Sequence, residues 1–307
     1  MKFLPEGRLI DTFENKNALR TPAALSEAMR QGTILESKVV LCDSEHNLVI
    51  DFGFMKGLIP REEGALGIRE GTVRDIALLS KVNHPVCFIV KDFIHDAEGQ
   101  LMASLSRRAA QEICMAEYIS RLRPGDILDA KVTHIDPFGV FTDIGCGIPA
   151  LLPIDAISIS RIAHPSERFT CGMYIKAVVR SKEDGRVNLS HKELLGTWAE
   201  NASRFSSGET VPGIIRSVES YGIFVELTPN LAGLAEIKDG IETGQQASVF
   251  IKSIIPDRMK IKLIIIDTLP PEVVTPEKPR YYCNAAHIDR FAYSPPDCEK
   301  VIQSIFE

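Results

Sequence analysis

Apolar and polar residues alternate in short runs along the chain, and the clearest of these runs occurs twice. In Tyr221-Gly222-Ile223-Phe224-Val225-Glu226-Leu227, the residues Ile223, Val225 and Leu227 share one parity while Phe224 and Glu226 share the other. Successive side chains on a strand point to opposite faces, so the run predicts a strand with Ile223, Val225 and Leu227 in a core and Phe224 turned outward beside Glu226. Phe138-Gly139-Val140-Phe141-Thr142-Asp143-Ile144 repeats the arrangement 83 residues earlier, with Val140, Thr142 and Ile144 inward and Phe141 outward beside Asp143. The same offset carries Gly125 onto Gly208, Val132 onto Ile215, Ile135 onto Val218 and Leu151 onto Leu234 without a gap. A period of this length is too long for a solenoid unit and suits a small complete domain that buries its own core.

A fainter third copy lies upstream, in Val39-Val40-Leu41, Leu48-Val49-Ile50-Asp51-Phe52 and Gly57-Leu58-Ile59-Pro60, closing with Gly99-Gln100-Leu101-Met102-Ala103-Ser104-Leu105-Ser106. Leu48, Ile50 and Phe52 alternate inward, as in a half-buried strand. This copy carries an insertion from Glu62 to Lys81. It has His46 and Val49 where the other copies have their two aromatic residues.

The connecting stretches read as helices. Thr21-Pro22 starts one that runs through Leu25 and Met29 to Gly32. A second runs from Arg107 to Leu122 with Ile113, Ala116 and Ile119 on one face. Ser190 followed three residues later by Glu193 is a capping-box pattern, and Leu195, Trp198, Ala202 and Phe205 continue it at helical spacing. Past Asp267 the prolines Pro270, Pro271, Pro276 and Pro279 mark a linker. Beyond it Ser294-Pro295-Pro296-Asp297 reads as a helix start, with Val301, Ile302, Ile305 and Phe306 as its apolar face. The resulting division is a lead-in over 1–30, domains over 31–108, 124–190 and 207–267, helical linkers over 109–123 and 191–206, a proline-rich linker over 268–280 and a helical tail over 281–307.

An outward aromatic placed twice at one register has two uses. It covers a neighbouring loop or helix, or it offers a flat platform on which a nucleobase stacks, worth about 1–3 kcal/mol per base in a single strand. The recurrence favours the platform, with Phe138 and Tyr221 as second rings to Phe141 and Phe224. Lys131 and Arg216 have outward parity on the preceding strands and are candidates to reach phosphates.

The whole pattern, from Gly125 through Lys131-Val132, Phe138-Gly139-Val140-Phe141, Ala150-Leu151-Leu152-Pro153 and Lys176-Ala177-Val178-Val179 to Asp184-Gly185-Arg186-Val187-Asn188-Leu189-Ser190, resembles the RNA-binding domain of the bacterial small-subunit ribosomal protein S-one family. The last copy answers with Tyr221-Gly222-Ile223-Phe224, Gly233-Leu234-Ala235 and Lys260-Ile261-Lys262-Leu263. The resemblance implies a mostly β chain of three tandem five-stranded OB-fold barrels joined by short helices, the first degenerate, with a small helical tail. It implies RNA contacts at Phe138, Phe141, Lys182 and Arg186 in the middle copy and at Tyr221, Phe224 and Lys260 in the last. The family's groove histidine is Pro153 in the middle copy and Glu236 in the last, and an aspartate of the family is Lys182. A proline has no side-chain donor and a glutamate repels phosphate, so the last copy is expected to be the weaker site.

Composition narrows the partner. The 307 residues carry a net charge of −6, and the middle copy holds 8 basic against 9 acidic residues between Pro124 and Trp198. A protein that coats duplexes through phosphate contacts needs the opposite balance. Stacking with a few local cations favours single-stranded RNA, and the resemblance implies messenger RNA at the small ribosomal subunit. The first copy, lacking both rings, is read by analogy as a protein adapter, and an adapter acting through that copy and the tail is the alternative function. Seven scattered cysteines suit a reduced, cytoplasmic protein. Neither a signal-peptide stretch nor a membrane span is found, the longest aliphatic run being Ile261 to Ile266 with a lysine inside it. Cys283, His287 and Cys298 lack the fourth ligand and close pairing of a zinc site. No phosphate loop, nucleophile elbow or metalloprotease motif occurs. The expectation is a non-catalytic protein with no cofactor, no metal and no small-molecule substrate.

Overall fold

The computed structural model describes residues 3–96, 98–183, 185–270, 276 and 278–306. Asp184 of the closing motif and Pro271 of the proline-rich linker lie outside the described residues. The chain forms two compact units, one of residues 1–122 with 143–149, the other of residues 123–142 with 150–307.

Among the described residues the strands build three closed five-stranded barrels. The first contains β1 (Leu35–Cys42), β2 (Leu48–Asp51), β3 (Lys56–Ile59), β4 (Pro85–His95) and β5 (Leu101–Ser106). The second contains β6 (Ile127–Asp136), β7 (Gly139–Asp143), β8 (Pro149–Pro153), β9 (Tyr174–Glu183) and β10 (Arg186–Ser190). The third contains β11 (Thr210–Glu219), β12 (Gly222–Thr228), β13 (Leu231–Ala235), β14 (Gln246–Ile255) and β15 (Lys260–Leu269). Each pairs its third strand parallel to its fifth, which closes the sheet and leaves no open edge.

The repeat read from the sequence is a repeat of backbone. Both ends of β6 and β11 are offset by 83 residues, whereas β9 and β14 are offset by 72, mainly because the loop before the fourth strand runs over residues 236–245 in the third barrel against 154–173 in the second. The inward residues Val140, Thr142, Ile144, Ile223 and Val225 are fully buried. Gly139 and Gly222 recur for a steric reason. A Cβ at Gly139 would sit 2.6 Å from the Leu152 carbonyl oxygen, and one at Gly222 would sit 2.7 Å from that of Ala235. The strand after each first aromatic thus passes too close to its neighbour for any side chain.

Two acidic residues expected outward are buried instead. Asp143 is 3% exposed and accepts hydrogen bonds from the backbone N–H groups of Glu6, Gly145 and Gly147. Glu226, 83 positions on, is 4% exposed and takes Arg168 at 2.5 Å and Arg216 at 2.8 Å. A carboxylate at this register survives burial because cations or N–H groups replace its water.

The helices follow the reading with two corrections. α1 (Phe13–Ala18) precedes α2 (Pro22–Gln31), whose Thr21 cap accepts from Ala24 N–H and whose end is marked by Gly32 at φ 61°. The insertion contributes the single turn α3 (Ile76–Leu79), and α4 (Arg107–Glu117) is capped by Ser106. The linker after the second barrel is not one helix from Ser190. Gly196, at φ 87°, interrupts it, and α5 (Trp198–Ala202) is started by the reciprocal cap of Thr197 and Glu200. The Ser190 hydroxyl donates to the Ala156 carbonyl instead.

The tail is not helical. It forms a hairpin of β16 (Arg290–Ala292) and β17 (Gln303–Ile305), with Pro295 and Pro296, which carry no N–H, in the connection. Part of its apolar face packs on the second and third barrels of the same unit, while Val301 and Ile305 stay exposed. Tyr293 joins the third barrel's core with Trp198, and Phe306 packs with Val178 and Leu194. The Tyr293 hydroxyl donates to the Asn230 carbonyl at 2.5 Å, and Trp198 N–H donates to the Tyr293 carbonyl.

Candidate nucleic-acid interface

The outward rings meet in pairs of matching geometry. Phe138 and Phe141 have centroids 6.0 Å apart and planes at 88°; Tyr221 and Phe224 have centroids 6.1 Å apart and planes at 87°. In each pair the first ring stands where one strand hands over to the next, 56% exposed at Phe138 and 67% at Tyr221. The second ring lies half-buried on the strand face. An edge-to-face pair of this kind is stable without a ligand and leaves the face of the outer ring to solvent. His134, which the sequence reading passed over, adds a third ring 6.4 Å from Phe141, with its Nε2 3.2 Å from Asp136. Its signal was a planar side chain on β6, beside the strand that carries Phe141.

The predicted cations separate into four groups. Lys260 lines the same cavity as Tyr221 and Phe224. Lys182 and Arg186 are exposed on the β9–β10 hairpin, where Val187 pairs with Lys182. Lys131 places its Nζ 5.5 Å from the centroid of Tyr174. Arg216 does not reach toward phosphate. Its side chain is 8% exposed and its guanidinium is held by Glu226 and Glu167, two carboxylates that occupy the donors a phosphate would need.

At the position of the expected groove histidine, Pro153 ends β8, and Glu236 stands 3.8 Å from Lys252, which offsets part of its charge. In the first barrel His46 sits in a turn at φ 65°, and the second position is Val49, which has no ring to pair with it. In the tail, His287 is taken by Asp126 at 2.7 Å and Asp289 at 3.2 Å. Among the described residues no group of three His, Cys, Asp or Glu is arranged to hold a metal ion, and no helix is long and apolar enough to cross a membrane.

A five-stranded barrel with paired surface rings is the framework of an OB-fold nucleic-acid-binding domain, and residues 121–192 match the S1 RNA binding domain. The small ribosomal subunit protein bS1 of Staphylococcus epidermidis is 30% identical over 241 residues, which are 67% of this chain and 61% of that protein. That of Leuconostoc lactis is 27% identical over 248 residues, 79% of this chain and 55% of the relative. The chain carries an S1 RNA-binding domain and is related over most of its length to proteins named bS1, of which it spans little more than half. A solved multidomain protein with nucleic acid binding domains from Streptococcus pneumoniae covers 77% of the chain and 74% of its own at 12% identity, with a TM-score of 0.25, too loose an agreement to bear on the arrangement.

Proposed function

We propose that this protein binds single-stranded RNA without catalysing a reaction, acting in translation at the small ribosomal subunit in the cytoplasm. The observation that carries the reading is the recurrence of one ring pair, at one separation and one angle, on two barrels of the same unit. A base stacks on the exposed ring of each pair, and nearby lysines and arginines hold the phosphates. The S1 domain match and the bS1 names support RNA as the ligand and the small subunit as the setting.

Each barrel alone is expected to bind weakly, near ~100 μM, and tethering at an effective concentration on the order of 1 mM brings the pair to roughly 10 μM. The net charge of −6 supports strands over duplexes, since duplex affinity is dominated by phosphate contacts. The adapter alternative, through the first barrel and the tail, draws on Val301 and Ile305, which stay exposed, while Tyr293, Cys298 and Phe306 are buried. The test is fluorescence anisotropy of a labelled, unstructured RNA of about 20 nucleotides against a duplex competitor of equal length. Micromolar binding to the strand with little competition by the duplex is the expected result. No binding up to about 100 μM would leave a protein adapter acting through the first barrel and the tail as the better reading.

A further inference from the structure

The C-terminal hairpin does more than pack. Between it and the third barrel lies a cavity of about 820 Å³, within the range that takes a ligand of several rings. One wall is the barrel's own face, with Tyr221, Phe224 and Leu234 beside Lys260 and Lys262. The other wall comes from the tail, with Tyr293, Lys300 and Ile302, and Trp198 also lines the space.

The charge of this cavity is lopsided. Lys252, Arg258, Lys260, Lys262 and Lys300 line it against one carboxylate, Glu236, which already stands 3.8 Å from Lys252. The chain as a whole is acidic, so five cations gathered around two aromatic rings are not a sample of the average surface. In the middle barrel, by contrast, Arg180 is drawn to Asp155 at 3.6 Å.

We infer that the hairpin and the third barrel together form a closed-sided cleft for single-stranded RNA, in which Lys300 is a phosphate-binding residue, and that this barrel, not the middle one, is the tighter site. This rests on the RNA-binding reading and deepens it. The rings take bases, the barrel lysines take phosphates along one side, and Lys300 takes a phosphate from the other. A strand held between two walls loses more water and meets more cations than one laid on an open face. The expectation that the last copy is weaker, drawn from Glu236 alone, is reversed by cations that come from β14, β15 and the tail.

The test compares variants of the full chain in anisotropy titrations with labelled oligouridylate across a series of salt concentrations. Replacing Tyr221 and Phe224 by alanine should cost more affinity than replacing Phe138 and Phe141. Lys300→Glu should weaken binding about fivefold or more and make the log–log salt slope shallower by about 0.7 or more. Lys56→Glu, the same charge change on the exposed face of the first barrel, should alter affinity less than about twofold. Trp198 is the only tryptophan, so occupancy of the cleft should also change its emission in the wild type. If Lys300→Glu does no more than Lys56→Glu while the ring variants lose binding, the hairpin is not part of the site, although the RNA reading stands. If the wild type binds no RNA, both fail.

Discussion

The Nε2 of His191 lies 3.3 Å from the hydroxyl oxygen of Tyr281, so a buried imidazole of the second barrel's exit is joined to the start of the tail. The opposite ring nitrogen, Nδ1, is 3.1 Å from the Ile157 carbonyl and therefore carries the proton, which leaves Nε2 to accept from the tyrosine. Tyr281 in turn accepts from the backbone N–H of Lys176. The neutral ring is satisfied on both sides. Burial disfavours its charged form, Arg168 adds to the effect, and the pKa falls from 6.5 to about 4.

A pH dependence follows. A base whose folded pKa is depressed contributes stability that is full above its unfolded value and is lost as the pH falls toward its folded value. The second unit should therefore lose about 3 kcal/mol between pH 6.5 and pH 4 from His191 alone. Urea unfolding followed by Trp198 emission reports this unit. His191→Gln should be less stable at neutral pH and flatter across the window, and an unchanged slope in the variant would assign the titration to another group.

Replacing both Phe138 and Phe141 by alanine should weaken single-stranded RNA binding tenfold or more while the barrel stays folded, since both rings lie outside its core. Anisotropy gives the affinity and circular dichroism checks the fold. Unchanged affinity would remove stacking on the middle barrel. By contrast, His46→Ala or Val49→Ala in the first barrel should leave RNA affinity nearly unchanged, and a large loss there would refute the adapter assignment of that copy.

The barrels and the ring pairs were legible because they depend on local alternation and on one repeated steric requirement. Phe141 and Phe224 are outward by parity, and Gly139 and Gly222 are glycines because of a carbonyl from the next strand. What was not legible depends on partners distant in sequence. Arg216 is outward by strand parity, yet Glu167, 49 residues away, folds over it and takes its charge. Asp143 and Glu226 share the parity of exposed residues but are covered by segments that alternation on their own strand cannot reveal. The tail has helical spacing at Val301, Ile302 and Ile305, but the pairing of β16 with β17 and the contacts of Tyr293 override so short a propensity.

In the first unit Arg107 holds Glu6 with its Nε at 2.6 Å from the carboxylate, and both side chains are 4% exposed. Burial alone would raise the Glu6 pKa, but Arg107 and Lys81 outweigh it and bring it down to about 2. Stability from this group is present above pH 4.5 and is lost as the pH falls toward 2. Arg107→Met takes the bidentate guanidinium away from a buried Glu6, while Lys81 stays beside it, and should cost about 3–5 kcal/mol. Hydrogen exchange resolved by peptide is the measurement: amides of β4, β5 and α4 should lose protection, while those of the third barrel, in the other unit, keep theirs.

Gly139→Ala and Gly222→Ala test whether the glycine between the two rings is part of the binding surface or only of the fold. Each new methyl group would meet a backbone carbonyl, Leu152 in one case and Ala235 in the other, at under 3 Å. The backbone cannot rotate away as a flexible side chain would, so β7 must separate from β8, and β12 from β13. The expected destabilisation is about 1–3 kcal/mol. The displacement also moves Phe138 relative to Phe141, and Tyr221 relative to Phe224, because the glycine stands between the rings of each pair. RNA affinity should therefore fall in both variants at temperatures well below their melting transitions. Full affinity in a variant that melts early would mean that ring spacing is not what the strand recognises.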